Sequence, residues 1–306
     1  MKVEIDILLA TYNGAAYLAA QIRSLQNQTF TAWRLIVHDD GSTDDTLVIV
    51  KDFAQKDKRI VLIEDGVCFG NPAGNFLHLL KYSESPFLIF CDQDDIWLEN
   101  KLEALYNAII VRNNTIAQAV YCNSYVYDPT SGHIHGTAVL CRPKSLKDAF
   151  FMNGGVQGCG VLFNACLRDI CKDTPDYVCM HDHLLTLAVL AFGEFTYIDM
   201  NLMLYRRYDG AVTGETDGSF RERLFGFFKG NKSVLCNKHF RAIKSFYAHY
   251  QTMLSVEHKQ LFERLFRYEG RSRIVNACHI MCDGFNMYGS KVILFVKVLV
   301  RPLVNN

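Results

Sequence analysis

Short apolar runs alternate with amphipathic stretches through the front of the chain. Val3–Ala10, Arg34–His38, Ile60–Glu64 and Phe87–Cys91 are rich in Val, Ile, Leu and Phe and are bounded by turn residues, so each predicts a strand. Between them, Ala15–Gln28, Asp44–Gln55 and Pro72–Tyr82 carry apolar residues at helical spacing. Ser42-Thr43-Asp44-Asp45 offers side chains that start a helix, and Pro72 suits a first helical turn. This alternation predicts an α/β fold with a mostly parallel sheet covered by helices on both faces. Ligands of such sheets bind at the carboxyl ends of the strands. Three loops therefore draw attention: Thr11–Gly14, Asp39–Asp44 and Asp92–Trp97.

From Ala119 to Gly214 the pattern loosens into short strands and a glycine-rich run, Met152–Gly160. A helix follows from about His181 to Phe192, with strands near Phe195–Ile198 and Leu202–Arg206. Beyond Gly218 the periodicity turns helical, in Ser219–Phe228, Cys236–Tyr250, Val256–Tyr268, Arg273–Met281 and a final KVILFVKVLVRPLV. No internal repeat interrupts this order. Gly214–Gly218 is the expected boundary between an α/β region, 1–214, and a helical region, 219–306.

Composition sharpens the picture. Of 306 residues 50% are apolar and 21% charged, enough for a sizeable core and unlike a disordered chain. No run approaches the roughly 18 uncharged apolar residues of a spanning helix, so an integral membrane protein is not expected. MKVEIDILLATYNG reads as a first strand rather than a signal peptide. Eleven cysteines, an odd number scattered in apolar runs, read as small buried hydrophobes in a reducing compartment, which places the chain in the cytoplasm. A net charge of zero conceals an asymmetry. From Ser219 onward 15 Lys and Arg face 5 Asp and Glu, a balance of +10, leaving −10 for the first 218 residues. The acidic front argues against nucleic acid and for a divalent metal. The basic, aromatic back suits the anionic inner face of a membrane, through Arg221, Arg223, Phe225, Phe227, Phe228, Lys229 and Lys232 and through Lys291, Lys297 and Arg301. Its apolar faces suit packing on the α/β region or on a second copy in a homodimer equally well.

Three constellations carry candidate chemistry. Asp39-Asp40-Gly41-Ser42-Thr43-Asp44 follows the second strand and reads either as an Asx-rich helix start or as a ligand loop. Asp92-Gln93-Asp94-Asp95 follows the fourth strand, and its three carboxylates repel unless a cation compensates them. An Asp-x-Asp at a strand end suits Mg²⁺ or Mn²⁺ together with phosphate oxygens, and Ile96-Trp97 ties the loop to the core. Met180-His181-Asp182-His183-Leu184 opens a helix. The glycine-rich run lacks the ending of a phosphate loop, and its Gly158 suits a plain turn or a close approach to a sugar. Arg206 and Arg207 suit diphosphate oxygens or a solvated edge strand.

ATYNG, Gln26-Asn27-Gln28-Thr29-Phe30, DDGSTDDT, Asn75 and FCDQDDIW, in this order, resemble the inverting family 2 glycosyltransferases of GT-A fold, a Rossmann-like architecture. The DQDDxW form and the HDxxL segment look most like rhamnosyltransferases of bacterial surface-polysaccharide assembly. The resemblance covers about residues 3–214 and implies a nucleotide-binding half, 1–118, and an acceptor half, 119–214. It implies that Thr11, Tyr12, Asn13, Asp40, Asn75 and Asp92 hold the donor nucleotide, with Arg206 and Arg207 on the diphosphate and Asp94 on the metal. Asp95, Trp97, Gly158, His181 and His183 fall around the acceptor or behind the site. Asp182 matches the general base, a carboxylate that takes the acceptor hydroxyl proton; His181 or His183 is the competing assignment. Tyr208 stands where the family usually has histidine. The implied reaction moves a sugar, L-rhamnose from dTDP-rhamnose or a hexose from UDP, to a lipid-linked or oligosaccharide acceptor. A nucleotidyltransferase would want a cation in the loop after the first strand, which ATYNGAAYLAAQ lacks, and a non-catalytic nucleotide-sugar-binding protein would not need Asp182.

Overall fold

A computed structural model of the chain describes residues 2–138, 141–207 and 233–304. Their contacts divide into two compact units. The first holds residues 2–138, 156–174 and 180–207; the second holds 141–155, 175–179 and 233–304.

The first unit is built on a nine-stranded mixed sheet. Strand β1 (Ile5–Thr11) is buried at every residue, as its near-continuous apolar run requires. It pairs in parallel with β2 (Trp33–Asp39) and with β4 (Phe87–Cys91), and β3 (Ile60–Ile63) lies parallel beyond β2. Thr11 stands opposite Asp39 and Leu9 opposite Cys91, so three strands end nearly level and deliver their loops to one edge. Past β4 the sheet turns antiparallel: β8 (Val161–Asn164) pairs with β4 and with β6 (Ala117–Tyr127). Strand β9 (Gly193–Arg206) runs parallel to β6, β5 (Ile96–Trp97) pairs with β9, and β7 (Ile134–Thr137) pairs with β6. The two short strands expected near 195–206 are thus one long strand, whose register against β6 shifts between Tyr121 and Tyr125. Its first residue must be glycine, because a Cβ at Gly193 would stand 1.9 Å from the Ala117 carbonyl oxygen.

Helices α1 (Ala15–Gln26), α2 (Thr46–Lys56), α3 (Pro72–Leu79) and α4 (Lys101–Ile110) cover the parallel part. In α1 the buried Leu18, Ile22 and Leu25 recur at helical spacing and join β1 and β2 in the core. Asn71 caps α3, accepting from Gly74 N–H at 2.8 Å, with Pro72 at the first position. After the short α5 (Leu146–Ala149) of the second unit, α6 (Ala165–Lys172) is capped by Asn164, and α7 (His181–Phe192) begins with the expected His-Asp-His.

The second unit also contains α8 (Asn237–Tyr250), α9 (Val256–Phe266), α10 (Arg273–Asp283) and α11 (Lys291–Val300). Ser255, Ser272 and Ser290 cap the last three. Phe150, Phe246, Phe262 and Phe285 form its aromatic centre, with ring centroids of Phe150 and Phe262 4.8 Å apart. Val292, Ile274 and Tyr288 leave apolar surface exposed beside Lys291 and Arg273. Among the described residues no helix is long and apolar enough to cross a membrane. The expected helix Ser219–Phe228 with its basic residues, the boundary Gly214–Gly218 and the departure at Tyr208 lie outside the described residues.

Candidate active site

The loops after β1 and β2 are sewn together by side chains whose polar atoms face backbone. Asp39 accepts from Thr11 Oγ1 (2.7 Å), Ser42 N–H (2.8 Å), Ser42 Oγ (2.6 Å) and Gly41 N–H (3.1 Å). Asn13, in the left-handed region at φ 46°, accepts from Thr43 N–H at 2.8 Å, and Ser42 Oγ accepts from its own N–H. Asp44 accepts from Ala15 and Thr46, and the Thr46 hydroxyl in particular lowers its pKa. Asp40, buried at the end of β2, accepts from Phe69 N–H. Gln93 clamps exposed Tyr12 from the β4 side, accepting from its N–H and donating to its carbonyl, each at 2.9 Å. That clamp dictates Gly14, where a Cβ would meet Gln93 Oε1 at 2.2 Å.

The loop after β4 is the opposite case. Asp95 is fully buried, and its carboxylate has the weak Cys159 thiol as a donor but no backbone or hydroxyl donor. Burial, then the charges of Asp92 and Asp94, push its pKa well up; burial and Asp94 push Asp92 up to about 6. The nearby cation is Lys101, itself fully buried, which donates to the Cys159 carbonyl at 2.7 Å and lies 3.5 Å over the Trp97 ring. Ligand atoms of Asp92, Asp95 and Cys159 lie within 4.8 Å of one another. Burial holds the Cys159 thiol protonated, so the donors on offer are carboxylate oxygens, which fit a hard divalent cation.

At the start of α7, Asp182 keeps partial exposure, but one carboxylate oxygen is buried without a partner. Burial raises its pKa to about 7, and Asp92 is near enough to add to the shift. His181 is different. Its ring packs on Phe76 (4.0 Å between centroids) and Phe90, and burial lowers its pKa to about 3. So weak a base, aimed into an aromatic cage, is unsuited to proton abstraction. Gly158 is explained by this packing, since a Cβ there would stand 2.7 Å from His181 Nε2. His183 is buried.

The family model for "Glycosyl transferase family 2" matches residues 6–174, more than half of the chain. The chain belongs to glycosyl transferase family 2. It is 35% identical over 248 residues to the Escherichia coli UDP-Glc:alpha-D-GlcNAc-diphosphoundecaprenol beta-1,3-glucosyltransferase WfaP, across 79% of this chain and 91% of that one. It is 27% identical over 217 residues to the dTDP-rhamnosyl transferase RfbG of Shigella flexneri, across 67% and 73%. Among solved structures, S. aureus TarS 1–349 in complex with UDP-GlcNAc shares the fold at a TM-score of 0.59 with 15% identity, over 87% of this chain and 72% of that one. A Pyrobaculum calidifontis mannosyltransferase solved with GDP-Man and Mn²⁺ gives 0.53 at 14% identity, over 86% and 69%.

Within this glycosyltransferase the site residues expected from sequence separate into two groups. Thr11, Tyr12, Asn13, Asp40, Asp92 and Asp94 lie on the loops brought to one sheet edge. Asn75 and Trp97 do not face that opening. Asn75 is buried, and its amide donates to the carbonyls of Thr11 and His38, so it fastens strand ends from beneath. Trp97 is buried in the core with the Lys101 ammonium over its ring. Arg206 donates from Nε to the Asp94 carbonyl at 2.8 Å between the rings of Tyr17 and Tyr127, and so braces the acidic loop after β4. Arg207 follows it, its N–H bonded to the Tyr127 carbonyl. Gln93 and Lys101 carry no prior expectation; the only sign in the sequence is their place inside and just after DQDDIW.

Proposed function

We propose that this enzyme transfers one sugar from a pyrimidine nucleoside diphosphate to a hydroxyl of a lipid-linked or oligosaccharide acceptor, inverting the anomeric centre. The observation that carries the reading is Asp182, a carboxyl raised to about 7 at the head of α7 and electrostatically in touch with Asp92. A base titrating near the working pH takes the acceptor proton as the hydroxyl oxygen attacks the anomeric carbon, and the nucleoside diphosphate leaves from the opposite face. Thr11, Tyr12, Asn13 and Asp40 line the nucleoside end, and Asp94, on the loop that gathers the oxygens of Asp92 and Asp95, holds Mg²⁺ or Mn²⁺. When bound, such an ion offsets charge on the leaving diphosphate. Arg206 keeps the Asp94 loop in place, and Arg207, next in the chain, is the candidate for the diphosphate. UDP and dTDP share one imide edge, so Asp40 suits both donors named among the relatives, dTDP-rhamnose and UDP-glucose.

The carrier-lipid substrate named for WfaP supports a lipid-linked acceptor, and with it reversible docking at the inner membrane face. The exposed Val292, Ile293 and Val296 beside Lys291 in α11 suit that docking. A thermal-shift panel of UDP, dTDP and GDP and their sugars with Mn²⁺ tests the donor, since a ligand at a hundredfold its dissociation constant stabilises by about 2.7 kcal/mol. Stabilisation by GDP alone overturns the pyrimidine reading. NMR of the transferred sugar tests the stereochemistry, and a product with the donor's anomeric configuration overturns inversion.

A further inference from the structure

Around the end of β2 the fold assembles four residues that neither the transfer reaction nor the family comparison uses. His38 is near the end of β2, Asp65 follows β3, His78 lies on α3, and Tyr82 ends the short turn after it. Asp65 Oδ1 is 3.2 Å from His38 Nε2, and Asp65 Oδ2 is 2.6 Å from His78 Nε2. The Tyr82 hydroxyl donates to Asp65 Oδ2 at 2.7 Å. One ligand atom each from His38, Asp65 and His78 fall within 4.8 Å of one another.

The hydrogen bonds around His38 fix its tautomer. The Asn75 amide nitrogen faces the Thr11 and His38 carbonyls, so its oxygen faces His38 Nδ1 at 2.7 Å, and that nitrogen must carry the proton. His38 Nε2 therefore faces a carboxylate oxygen, and without a second proton on the ring it presents its lone pair there. Two acceptors 3.2 Å apart need a cation or an extra proton between them. A metal-ligating histidine is oriented in this way, its other ring N–H given to an oxygen behind it.

We propose that His38 Nε2, His78 Nε2 and Asp65 bind a Zn²⁺ ion, separate from any Mg²⁺ or Mn²⁺ held by Asp94. Two imidazoles and one carboxylate are a borderline donor set that selects Zn²⁺ over hard cations, with a fourth position left for water. His38 is buried, whereas Asp65 is exposed and gives the ion a path from solvent. The ion joins the end of β2, the loop after β3 and α3. That loop is also the one from which Phe69 N–H reaches Asp40, so the site positions the loop beside the nucleoside end rather than touching the reacting atoms.

The test uses the full chain stripped with chelator, titrated with Zn²⁺ by calorimetry in millimolar Mg²⁺, with a melting curve alongside. One equivalent should bind and raise Tm, and His78→Ala and Asp65→Asn should each weaken binding at least tenfold, whereas Asp94→Asn keeps it. Should a variant fail to fold, anomalous scattering at the zinc edge from wild-type crystals decides: density among His38, Asp65 and His78 supports the site, and density elsewhere or none overturns it. Zn²⁺ affinity unchanged in both variants overturns it equally.

Discussion

Asp39, which ends β2, and Asp44 in the loop behind it receive hydrogen bonds from Thr11, Gly41, Ser42, Ala15 and Thr46; Asp95, after β4, has only the weak Cys159 thiol, and Asp92 and Asp182 are raised by burial. Both regions read in sequence as aspartates behind an apolar strand. Their neighbours give them opposite work. Hydroxyl and backbone donors at the first loop occupy the carboxylate oxygens and spend them on loop geometry, and at Asp44 the Thr46 hydroxyl lowers the pKa. At the second, crowded carboxylates stay short of donors, a cost that persists where a cation or a moving proton is to be accommodated.

Substitutions can break this contrast from either side. The largest effect is expected at Asp182. Asp182→Asn should lower the transfer rate roughly 10²–10⁴-fold with donor affinity kept, read by comparing transfer with calorimetric donor binding; a change within a few-fold returns the base to His183. The same carboxyl should appear as a rising limb of wild-type activity through about pH 7.

Stability should respond in the opposite sense. The folded pKa of Asp182 is raised, so the neutral form stabilises the fold at low pH and that contribution is lost as pH rises through about 7. Asp182→Asn should therefore be more stable than wild type by roughly 2–4 kcal/mol at pH 8, discounted for partial exposure, and no different below pH 3.8. Denaturant titrations at the two pH values measure it.

At the satisfied loop the sign reverses. Asp39→Ala strands the Thr11, Gly41 and Ser42 donors and should cost about 1–3 kcal/mol at neutral pH. Gln93→Ala opens the Tyr12 clamp at an exposed site and should cost about 1 kcal/mol or less in stability, with a weaker nucleotide affinity as the clearer signal.

Much of this was legible in the chain. The apolar runs of β1, β2 and β4 and the turn residues behind them locate the sheet edge and its three loops, because a strand buried on both faces has an unbroken apolar signature. Helix α4 escaped the reading although Leu102, Leu105 and Ile109 have helical spacing: it leaves the acidic loop without a side-chain cap to announce it. The long β9 was split in two because Asp199-Met200-Asn201 breaks the pattern where the register shifts. Lys101 was invisible as a buried cation, since lysine ordinarily marks surface. The His38, Asp65 and His78 cluster arises only when β2, the loop after β3 and α3 meet.

If the carboxylates after β4 take a cation, nucleoside diphosphate binding must depend on that ion. Calorimetry of UDP and dTDP should give an affinity that falls at least tenfold when Mn²⁺ is replaced by chelator in the wild type, and that no longer depends on Mn²⁺ in Asp94→Asn. Equal wild-type affinity with and without the ion, or an undiminished Mn²⁺ dependence in the variant, would contradict it.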